Sequence, residues 1–276
     1  MGQSYSNIKE LYSAINTIDG AVGVEKQKGG GIVEFARKPI SEYCPYRGEH
    51  GNFCINFFEY ASCGVIYLLK NLKNYGLDYD KLAEYAILWL SYKLNQHPEY
   101  SGKKLNDIYT NNIGKNDDYN KKKYGDNSLS YKDIMDKKKD LMNMNIKEIS
   151  NFYEALKNLY SMYSDCNKTE LDCEKFSQKA NEFVQNFEEL NKYSKNIKNS
   201  SYSQILYRLS DDYNNLINKY DNKKSCDFSS LPKIKTSQST LIPVLSPFSV
   251  IPVFLGVAYK TIYKKKIKKN KEENET

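Results

Sequence analysis

Six cysteines are the residues of this 276-residue chain whose type and number most suggest chemistry. An even number of cysteines is typical of a disulfide-bonded domain outside the cytosol, and six allow fifteen complete pairings. Proximity along the chain favours a bond from Cys54 to Cys44 or to Cys63, and further on it favours a Cys166–Cys173 bond. A disulfide that closes a loop of this size adds about 2–3 kcal/mol to the free energy of unfolding if it is unstrained. A cytosolic head with reduced cysteines is the alternative. The candidate disulfide cysteines are Cys44, Cys54, Cys63, Cys166, Cys173 and Cys226.

A zinc site is a second possibility for the three N-terminal cysteines, with His50 as the fourth ligand. Structural zinc sites hold four cysteine or histidine ligands and commonly take two of them from one C-x₂₋₄-C turn. The spacing of Cys44, Cys54 and Cys63 lacks such a pair. The sequence therefore predicts no metal ion and no cofactor.

The chain has only two histidines, His50 and His97, that could act as the base of a cysteine–histidine pair. His97 precedes Pro98 at the end of a predicted helix, where an imidazole more readily caps backbone carbonyls than it acts as a base. Carboxylates such as Asp212 fall on the polar faces of predicted helices and look solvated. The motifs of zinc proteases, serine hydrolases, dinucleotide-binding folds and P-loop proteins do not occur. The sequence therefore predicts a protein that is not an enzyme.

The elements that must position these residues are predicted to be helices. Asn56 to Tyr75 and Asp78 to Asn95 have helical periodicity, and the second contains an apolar run around Trp89 that is typical of a central helix. Ser130 and Asp133 have the pattern of a capping box, which predicts a helix through Met142. The clearest stripe, at alternating spacings of four and three, consists of Phe176, Ala180, Phe183, Phe187 and Leu190. These patterns predict an all-α head, a helical bundle of roughly six to eight helices with aromatic stripes in its core.

One membrane-spanning helix is predicted at residues 239–259. The stretch from Thr236 to Tyr259 carries no charge, and as a helix its apolar part would cover roughly 28 Å of the roughly 30 Å hydrocarbon core. Its three prolines are expected to kink the helix without abolishing it. A basic tail follows, predicted to act as a cytosolic anchor. Its lysines are Lys260, Lys264, Lys265, Lys266, Lys268, Lys269 and Lys271.

The charge of the tail indicates both the orientation and the class of partner. Seven lysines and three acidic residues give residues 260–276 a charge of +4, which leaves +3 of the total +7 for everything before them. A head so near neutrality lacks the basic face that nucleic acids require. The positive-inside rule places the tail in the cytosol and the head outside. However, residues 1–25 contain no apolar core of a signal peptide, and an anchor near the C-terminus could also leave the head in the cytosol.

The sequence divides into five predicted segments. Residues 1–41 form an N-terminal segment of undefined structure that contains a glycine run, and residues 42–224 form the helical head. Residues 225–238 are a polar stalk. Residues 239–259 are the transmembrane helix, and residues 260–276 are the lysine-rich cytosolic tail. The sequence therefore predicts a single-pass membrane protein with one folded head.

Several blocks of the sequence resemble the PIR family of Plasmodium variant proteins (the Yir/Bir/Cir/Vir type, and most of all its rodent-parasite members). The blocks are Cys44-Pro, Cys54, Cys63-Gly-Val-Ile-Tyr-Leu-Leu69, Glu84–Leu94, Ser130–Met144, Ile149–Leu156, Ser201–Leu206 and Leu241–Ser246. The resemblance implies a helical, non-catalytic head on a membrane anchor. Residues 1–40 depart from the family, whose members open with a cysteine-bearing helix. In family members that N-terminal cysteine has a partner, and the departure implies that the cysteine of this chain corresponding to that partner is unpaired.

The resemblance also implies a function. It indicates a variant antigen of a malaria parasite, exported to the infected red cell or displayed at its surface or vacuolar membrane, with roles in host interaction, antigenic variation and immune evasion. Its partners would be the lipid bilayer and a host or parasite protein that the residues do not identify. Exposed loops, above all residues 97–128, are expected to carry antigenic change. The alternative is a C-terminally anchored adaptor or trafficking protein with a cytosolic head.

Overall fold

The computed structural model describes most of the chain that precedes the predicted span. The described residues are 15–38, 40–44, 54, 56–74, 77–112, 123–124, 129–165, 172–194, 200–221, 226 and 228–235. All of them belong to one compact unit, Lys9–Ser237. His50, Cys166, the predicted span and the lysine tail lie outside them. Within the described residues, no helix combines the length and the apolar character needed to cross a bilayer.

A β-hairpin precedes the main helices, and the all-α expectation did not include it. Strand β1 (Val22–Lys26) pairs antiparallel with strand β2 (Ile32–Ala36), so that Val22 lies opposite Ala36. The connecting turn contains Gly30 at φ 85°, a left-handed conformation that glycine adopts without steric cost. The glycine run therefore turns one strand back on the other. The hairpin packs against the first long helix.

Helices make up most of the described structure, as the periodicity predicts. They are α1 (Phe57–Lys73), α2 (Tyr79–Asn95), α3 (Leu105–Asn112), α4 (Tyr131–Met135), α5 (Lys139–Met142), α6 (Ile146–Asp165), α7 (Cys173–Ser194) and α8 (Ser200–Asp221). Two 3₁₀ turns (Ile40–Tyr43 and Asp136–Lys138), two short paired strands, β3 (Lys123–Tyr124) and β4 (Leu129–Ser130), and one helical turn at residues 15–19 complete the described elements. Helix α2 packs against α1 and α6, and α6 packs against α7. The predominantly helical fold is confirmed.

The first two long helices begin within one residue of the starts that their periodicity predicts, and a side-chain cap stands before each. Asn56 caps α1, because its side-chain oxygen accepts a hydrogen bond of 3.0 Å from the N–H of Glu59. Asp78 caps α2 in the same way, with a bond of 2.8 Å from the N–H of Lys81. Such a cap contributes about 1 kcal/mol to the stability of a helix. These local contacts explain why the sequence predicted both helices closely.

The predicted helix from Ser130 to Met142 is confirmed at its start and at its end, but the 3₁₀ turn Asp136–Lys138 interrupts it. The Asp133 N–H donates to Ser130 Oγ (3.1 Å), and the Ser130 N–H donates to the Asp133 carboxylate (2.8 Å), which completes the capping box. The helix then breaks after α4, where Lys138 adopts a non-helical backbone (φ −123°, ψ 41°). The side chain of Lys138 is largely buried and its Nζ lies 3.9 Å from Asp80 of α2. This contact with a distant helix accompanies the break.

Part of the segment that the sequence assigned to an exposed loop is a helix. Helix α3 buries Leu105, Ile108 and Tyr109. The Tyr109 hydroxyl lies 3.3 Å from a carboxylate oxygen of Asp136, to which it donates a hydrogen bond. The loop expectation is therefore wrong for this part of residues 97–128. Three apolar residues in two turns were too short a helical pattern to distinguish from loop sequence.

Gly64 marks the close approach of α1 to Trp89 of α2. A Cβ atom at position 64 would lie 2.2 Å from Cη2 and 2.8 Å from Cζ3 of the indole, which is fully buried as the sequence predicts. We expect Gly64→Ala to lower the free energy of unfolding by about 1–3 kcal/mol, because overpacking displaces the ring. Urea unfolding measures the loss. The matched control is Gly102→Ala, where a Cβ would meet no atom within 4 Å. Equal losses in the two variants would contradict this packing.

Candidate functional site

Three buried cysteines bring their sulfur atoms together beside the start of α1. We call Cys44, Cys54 and Cys63 the N-terminal sulfur cluster. Cys44 and Cys63 form a disulfide with their Cα atoms 4.7 Å apart. The Cys54 thiol lies 3.3 Å from the sulfur of Cys44 and 3.5 Å from that of Cys63. All three side chains are buried, with at most 6% exposed.

The observed pairing in the N-terminal sulfur cluster differs from both pairings that proximity favoured. The 3₁₀ turn that ends at Tyr43 packs on α1, and this places Cys44 beside Cys63, which is well inside the helix. Cys54 precedes the helix and remains a free thiol. Burial, with a smaller effect from Glu59, raises the pKa of Cys54 to about 12. A protonated, buried thiol is a poor nucleophile at neutral pH.

A second disulfide joins Cys173, the first residue of α7, to Cys226, which follows α8. The Cα atoms lie 5.3 Å apart, and 53 positions separate the two residues in the sequence. The Cys166–Cys173 bond that proximity favoured does not form, because Cys173 is bonded to the more distant cysteine. Distance along the chain failed here because α7 and α8 pack against each other and return the chain to its starting point.

The residues after this disulfide lie along α7. We call residues 226 and 228–235 the strap. The side chain of Asn191 binds it twice, donating to the carbonyl of Lys233 (2.9 Å) and accepting from the N–H of Lys235 (2.8 Å). Ser194 Oγ donates to the Lys235 carbonyl (2.6 Å), and Tyr213 OH donates to the Ser229 carbonyl (2.7 Å). The strap, which falls within the predicted stalk, is therefore held against the head. Sequence analysis missed Asn191, whose only signal is an amide on the inward face of an amphipathic helix.

Asp19 binds the middle of the helical core from the N-terminal segment. Its Oδ1 accepts hydrogen bonds from Trp89 Nε1 (2.9 Å) and from the Tyr153 hydroxyl (2.8 Å). Lys93 donates to its backbone carbonyl, and Lys157 Nζ lies 3.5 Å from its Oδ2. Burial lowers the pKa of Lys93 to about 8. Sequence analysis missed this centre, because Asp19, the pair Trp89 and Lys93, and the pair Tyr153 and Lys157 lie far apart along the chain and share no motif.

His97 does not cap helix carbonyls, so that expectation is wrong. Its Nδ1 accepts a hydrogen bond from the N–H of Glu99 (3.2 Å), and its Nε2 lies 3.1 Å from the carboxylate of Glu34 in β2. The ring stacks on Phe57 with 5.4 Å between ring centres. His97 therefore links the hairpin to α1 and α2, and the contacts described for it are those of a structural residue.

A buried ion pair joins α2 to α8. Arg208 contacts Glu84, whose side chain is 2% exposed, and Asp212 lines the same small cavity. Burial raises the pKa of Asp212 to about 6. The sequence expectation of a solvated Asp212 is therefore wrong. The residue lies one turn after Arg208 and faces the α2–α8 contact.

The raised pKa of Asp212 makes stability depend on pH. Because the folded-state pKa of about 6 exceeds the usual value near 3.9, the stabilisation by the neutral acid is complete below about pH 4 and is lost as the pH rises through 6. We expect Asp212→Asn to increase the free energy of unfolding at pH 7 by about 1–2 kcal/mol, and this gain should vanish near pH 4. Urea unfolding at both pH values measures it, with the exposed Asp211→Asn as the control. A gain that is the same at both pH values would contradict the assignment.

Two open clefts lie on the surface. One of ≈ 430 Å³ is lined by residues that include Tyr100, Lys103 and Asp107, and one of ≈ 350 Å³ lies between the start of α6 and the end of α7, beside Tyr193. Their described linings mix amide, acidic, lysine and tyrosine side chains without a cysteine or a histidine. Neither described lining contains a cysteine–histidine pair.

Comparison with known proteins places this architecture in a family. A family profile described as Plasmodium variant antigen protein Cir/Yir/Bir matches residues 12–260. A solved structure described as a Plasmodium PIR protein ectodomain is 34% identical, with a TM-score of 0.59, and the alignment covers 82% of this chain and 99% of that chain. No curated protein matches the chain. The family profile matches most of the chain, and the 34% identity is measured over nearly the whole of the solved ectodomain. The chain therefore belongs to the Plasmodium variant antigen family Cir/Yir/Bir.

Proposed function

We propose that this chain is a variant membrane protein of a malaria parasite that presents its helical head at a membrane of the infected red cell. In this position the head takes part in host interaction, antigenic variation and immune evasion. The observation that carries the proposal is the similarity of the head to a PIR ectodomain along the full length of that structure. An ectodomain lies outside a cell membrane, and we assign the same side to this head.

The cysteine chemistry supports an outward-facing head. The two disulfides of the described residues connect parts of the chain that are 19 and 53 positions apart. Disulfides of this structural kind persist in oxidising compartments and are rare in the cytosol. A cytosolic adaptor with reduced cysteines would lose both links. The adaptor alternative therefore requires a less stable head.

The C-terminal sequence supplies the anchor in this proposal. Residues 239–259 are uncharged and long enough to cross a bilayer, and the net charge of +4 in residues 260–276 favours a cytosolic tail. Roughly 1 kcal/mol of attraction to anionic lipids per lysine near the surface would add to the anchoring. The bilayer is thus the first partner, and the second is a host or parasite protein that contacts the head.

The proposed function is non-catalytic. The solvent-exposed surface, which includes Ile32, Val33, Tyr193 and Tyr207, is available to partners and to antigenic change. Substitutions there leave the core intact, because surface changes away from special features usually alter stability by about 0.5 kcal/mol or less. Variation is therefore expected on exposed helix faces as well as in loops.

Protease treatment of intact infected red cells tests the proposal. The chain carries one epitope tag before the hairpin and another after the lysine tail, and trypsin is added to surface preparations and to vacuolar preparations. We expect the N-terminal tag to be lost in one of the two preparations while a short C-terminal fragment keeps its tag. A cytosolic parasite protein is the control for membrane integrity. A head that stays uncut in both preparations would contradict an outward-facing head and favour the adaptor.

A further inference from the structure

The N-terminal sulfur cluster contains more sulfur than its disulfide requires. Each of the three cysteines offers one Sγ atom, and all three atoms lie within 4.8 Å of one another. The cysteines come from the end of a 3₁₀ turn, the residues before α1 and the interior of α1, so three separate parts of the backbone hold the sulfurs in place. A disulfide needs only two of these sulfurs, and the third lies in contact with both.

The arrangement of the sulfurs is a triangle and does not suit disulfide exchange. An attacking thiolate must approach along the extension of the sulfur–sulfur bond. Cys54 Sγ lies at nearly equal distances, 3.3 Å and 3.5 Å, from the other two sulfurs, and therefore sits beside that bond. Exchange would require the side chain of Cys54 to move within a buried site.

A triangle of sulfurs is, however, the geometry of a thiolate metal site. Three thiolates at about 2.3 Å from a tetrahedral ion are separated from one another by about 3.8 Å. The distances from Cys54 to its two neighbours are within about 0.5 Å of that separation. Once the disulfide is opened, the sulfurs of Cys44 and Cys63 must move apart from about 2 Å to about 3.8 Å, which rotation of the two side chains can supply.

The surroundings of the cluster also favour a cation. The carboxylate of Glu59, in the first turn of α1, adds negative potential at the sulfur of Cys54. Thiolate sulfur is a soft ligand that selects Zn²⁺, Cu⁺ and similar ions over Mg²⁺ or Ca²⁺. We propose that the reduced N-terminal sulfur cluster binds one soft cation of this class through Cys44, Cys54 and Cys63, and leaves one coordination position open.

The chemistry balances with one named co-reactant. A dithiol reductant transfers two electrons and two protons to the Cys44–Cys63 disulfide, which becomes two thiols, and the reductant leaves as its own disulfide. A divalent cation then forms one bond to each of the three sulfurs, and each thiol releases one proton. In the reverse direction a disulfide oxidant takes two electrons from the sulfurs of Cys44 and Cys63 and, with two protons, leaves as its dithiol. The Cys44–Cys63 bond re-forms, Cys54 takes up one proton, and the cation is released.

This site would give the head two ways to join the same parts of its chain. In an oxidising compartment the disulfide connects Cys44 to Cys63 of α1. In a reducing compartment the cation would connect Cys44, Cys63 and Cys54. If the head passes from the cytosol to the exterior, as in the proposed function, both states would occur in turn. The metal site itself is tested on purified protein and does not depend on where the head resides.

Cobalt titration tests the site. The full chain is purified in detergent, reduced with a phosphine under anaerobic conditions, desalted and titrated with Co²⁺. We expect one equivalent to bind with a sulfur-to-cobalt charge-transfer band, and one equivalent of Zn²⁺ to remove that band. The oxidised chain, which retains only the Cys54 thiol in the cluster, should not give the band.

Two single substitutions separate this site from the other cysteines. Cys54→Ser keeps the disulfide in the oxidised state, and it should lose the band after reduction. Cys166→Ser, outside the cluster, should leave the band unchanged. Circular dichroism records folding throughout. A reduced chain that gives no band, a Cys54→Ser chain that binds Co²⁺ like the unmutated protein, or a reduced chain that unfolds and is not refolded by Co²⁺ would each overturn the proposal.

Discussion

Replacing Asp19 with alanine is expected to lower the free energy of unfolding by about 3–5 kcal/mol, the range for breaking a buried charge pair. The substitution removes the acceptor of the Trp89 and Tyr153 hydrogen bonds. It also leaves Lys93, whose side chain is 3% exposed, without the carboxylate 3.9 Å from its Nζ. The hydrogen bond from Lys93 to the backbone carbonyl at position 19 remains in the variant, but the ammonium loses its counter-charge, and a buried charge without a counter-charge is costly.

Urea unfolding of two further variants separates charge from hydrogen bonding at this centre. Asp19→Asn retains an acceptor oxygen for Trp89 and Tyr153 and should lose less stability than Asp19→Ala. Asp80→Ala removes a carboxylate that is 61% exposed, and its loss should be about 1 kcal/mol or less. If Asp19→Ala unfolds at the same urea concentration as Asp80→Ala, Asp19 does not hold the N-terminal segment to the core.

The double substitution Cys173→Ser/Cys226→Ser is expected to lower the free energy of unfolding by about 4 kcal/mol. The disulfide closes a loop across 53 positions, and a loop of that length restricts the unfolded chain strongly. The bond also holds the start of the strap beside the start of α7. We therefore expect the amide of Lys235 to exchange its hydrogen faster in the double variant.

Denaturation without reductant and hydrogen exchange measure these two effects. Cys54→Ser is the matched control, because it replaces a buried cysteine without removing a disulfide. Its loss should be smaller than that of the double variant, and exchange at Lys235 should not change. A double variant as stable as Cys54→Ser would show that the Cys173–Cys226 bond does not stabilise the head.

The parts of the fold that local chemistry determines could be predicted from the sequence. Periodicity predicted α1 and α2, and their starts are set locally because the side-chain oxygens of Asn56 and Asp78 accept from a backbone N–H only three residues away. The stripe of α7 was equally clear. All five of its predicted residues are buried. Trp89 is in the core for the same reason, because an apolar run on every side of a helix requires burial on every side.

The contacts between distant parts of the chain could not be predicted in this way. Asp19 is 134 positions from Tyr153, its hydrogen-bond donor, and nothing near either residue marks the pair. The disulfide partners of Cys63 and Cys226 depend on which parts of the chain pack together in the folded head. Asn191 is recognisable as a ligand of the strap only when the strap is in place. These residues complete the candidate sites, and their positions follow from the tertiary fold.

Non-reducing peptide mapping of the protein from infected red cells tests the central claim most directly. Free thiols are alkylated during lysis, and cleavage after both Glu49 and Glu59 places Cys44, Cys54 and Cys63 on separate peptides, so that each link can be identified. An outward-facing, disulfide-bonded head predicts linked peptides for Cys44–Cys63 and for Cys173–Cys226, with Cys54 alkylated after denaturation. Six cysteines that are all alkylated without reductant would contradict it and would favour a cytosolic head.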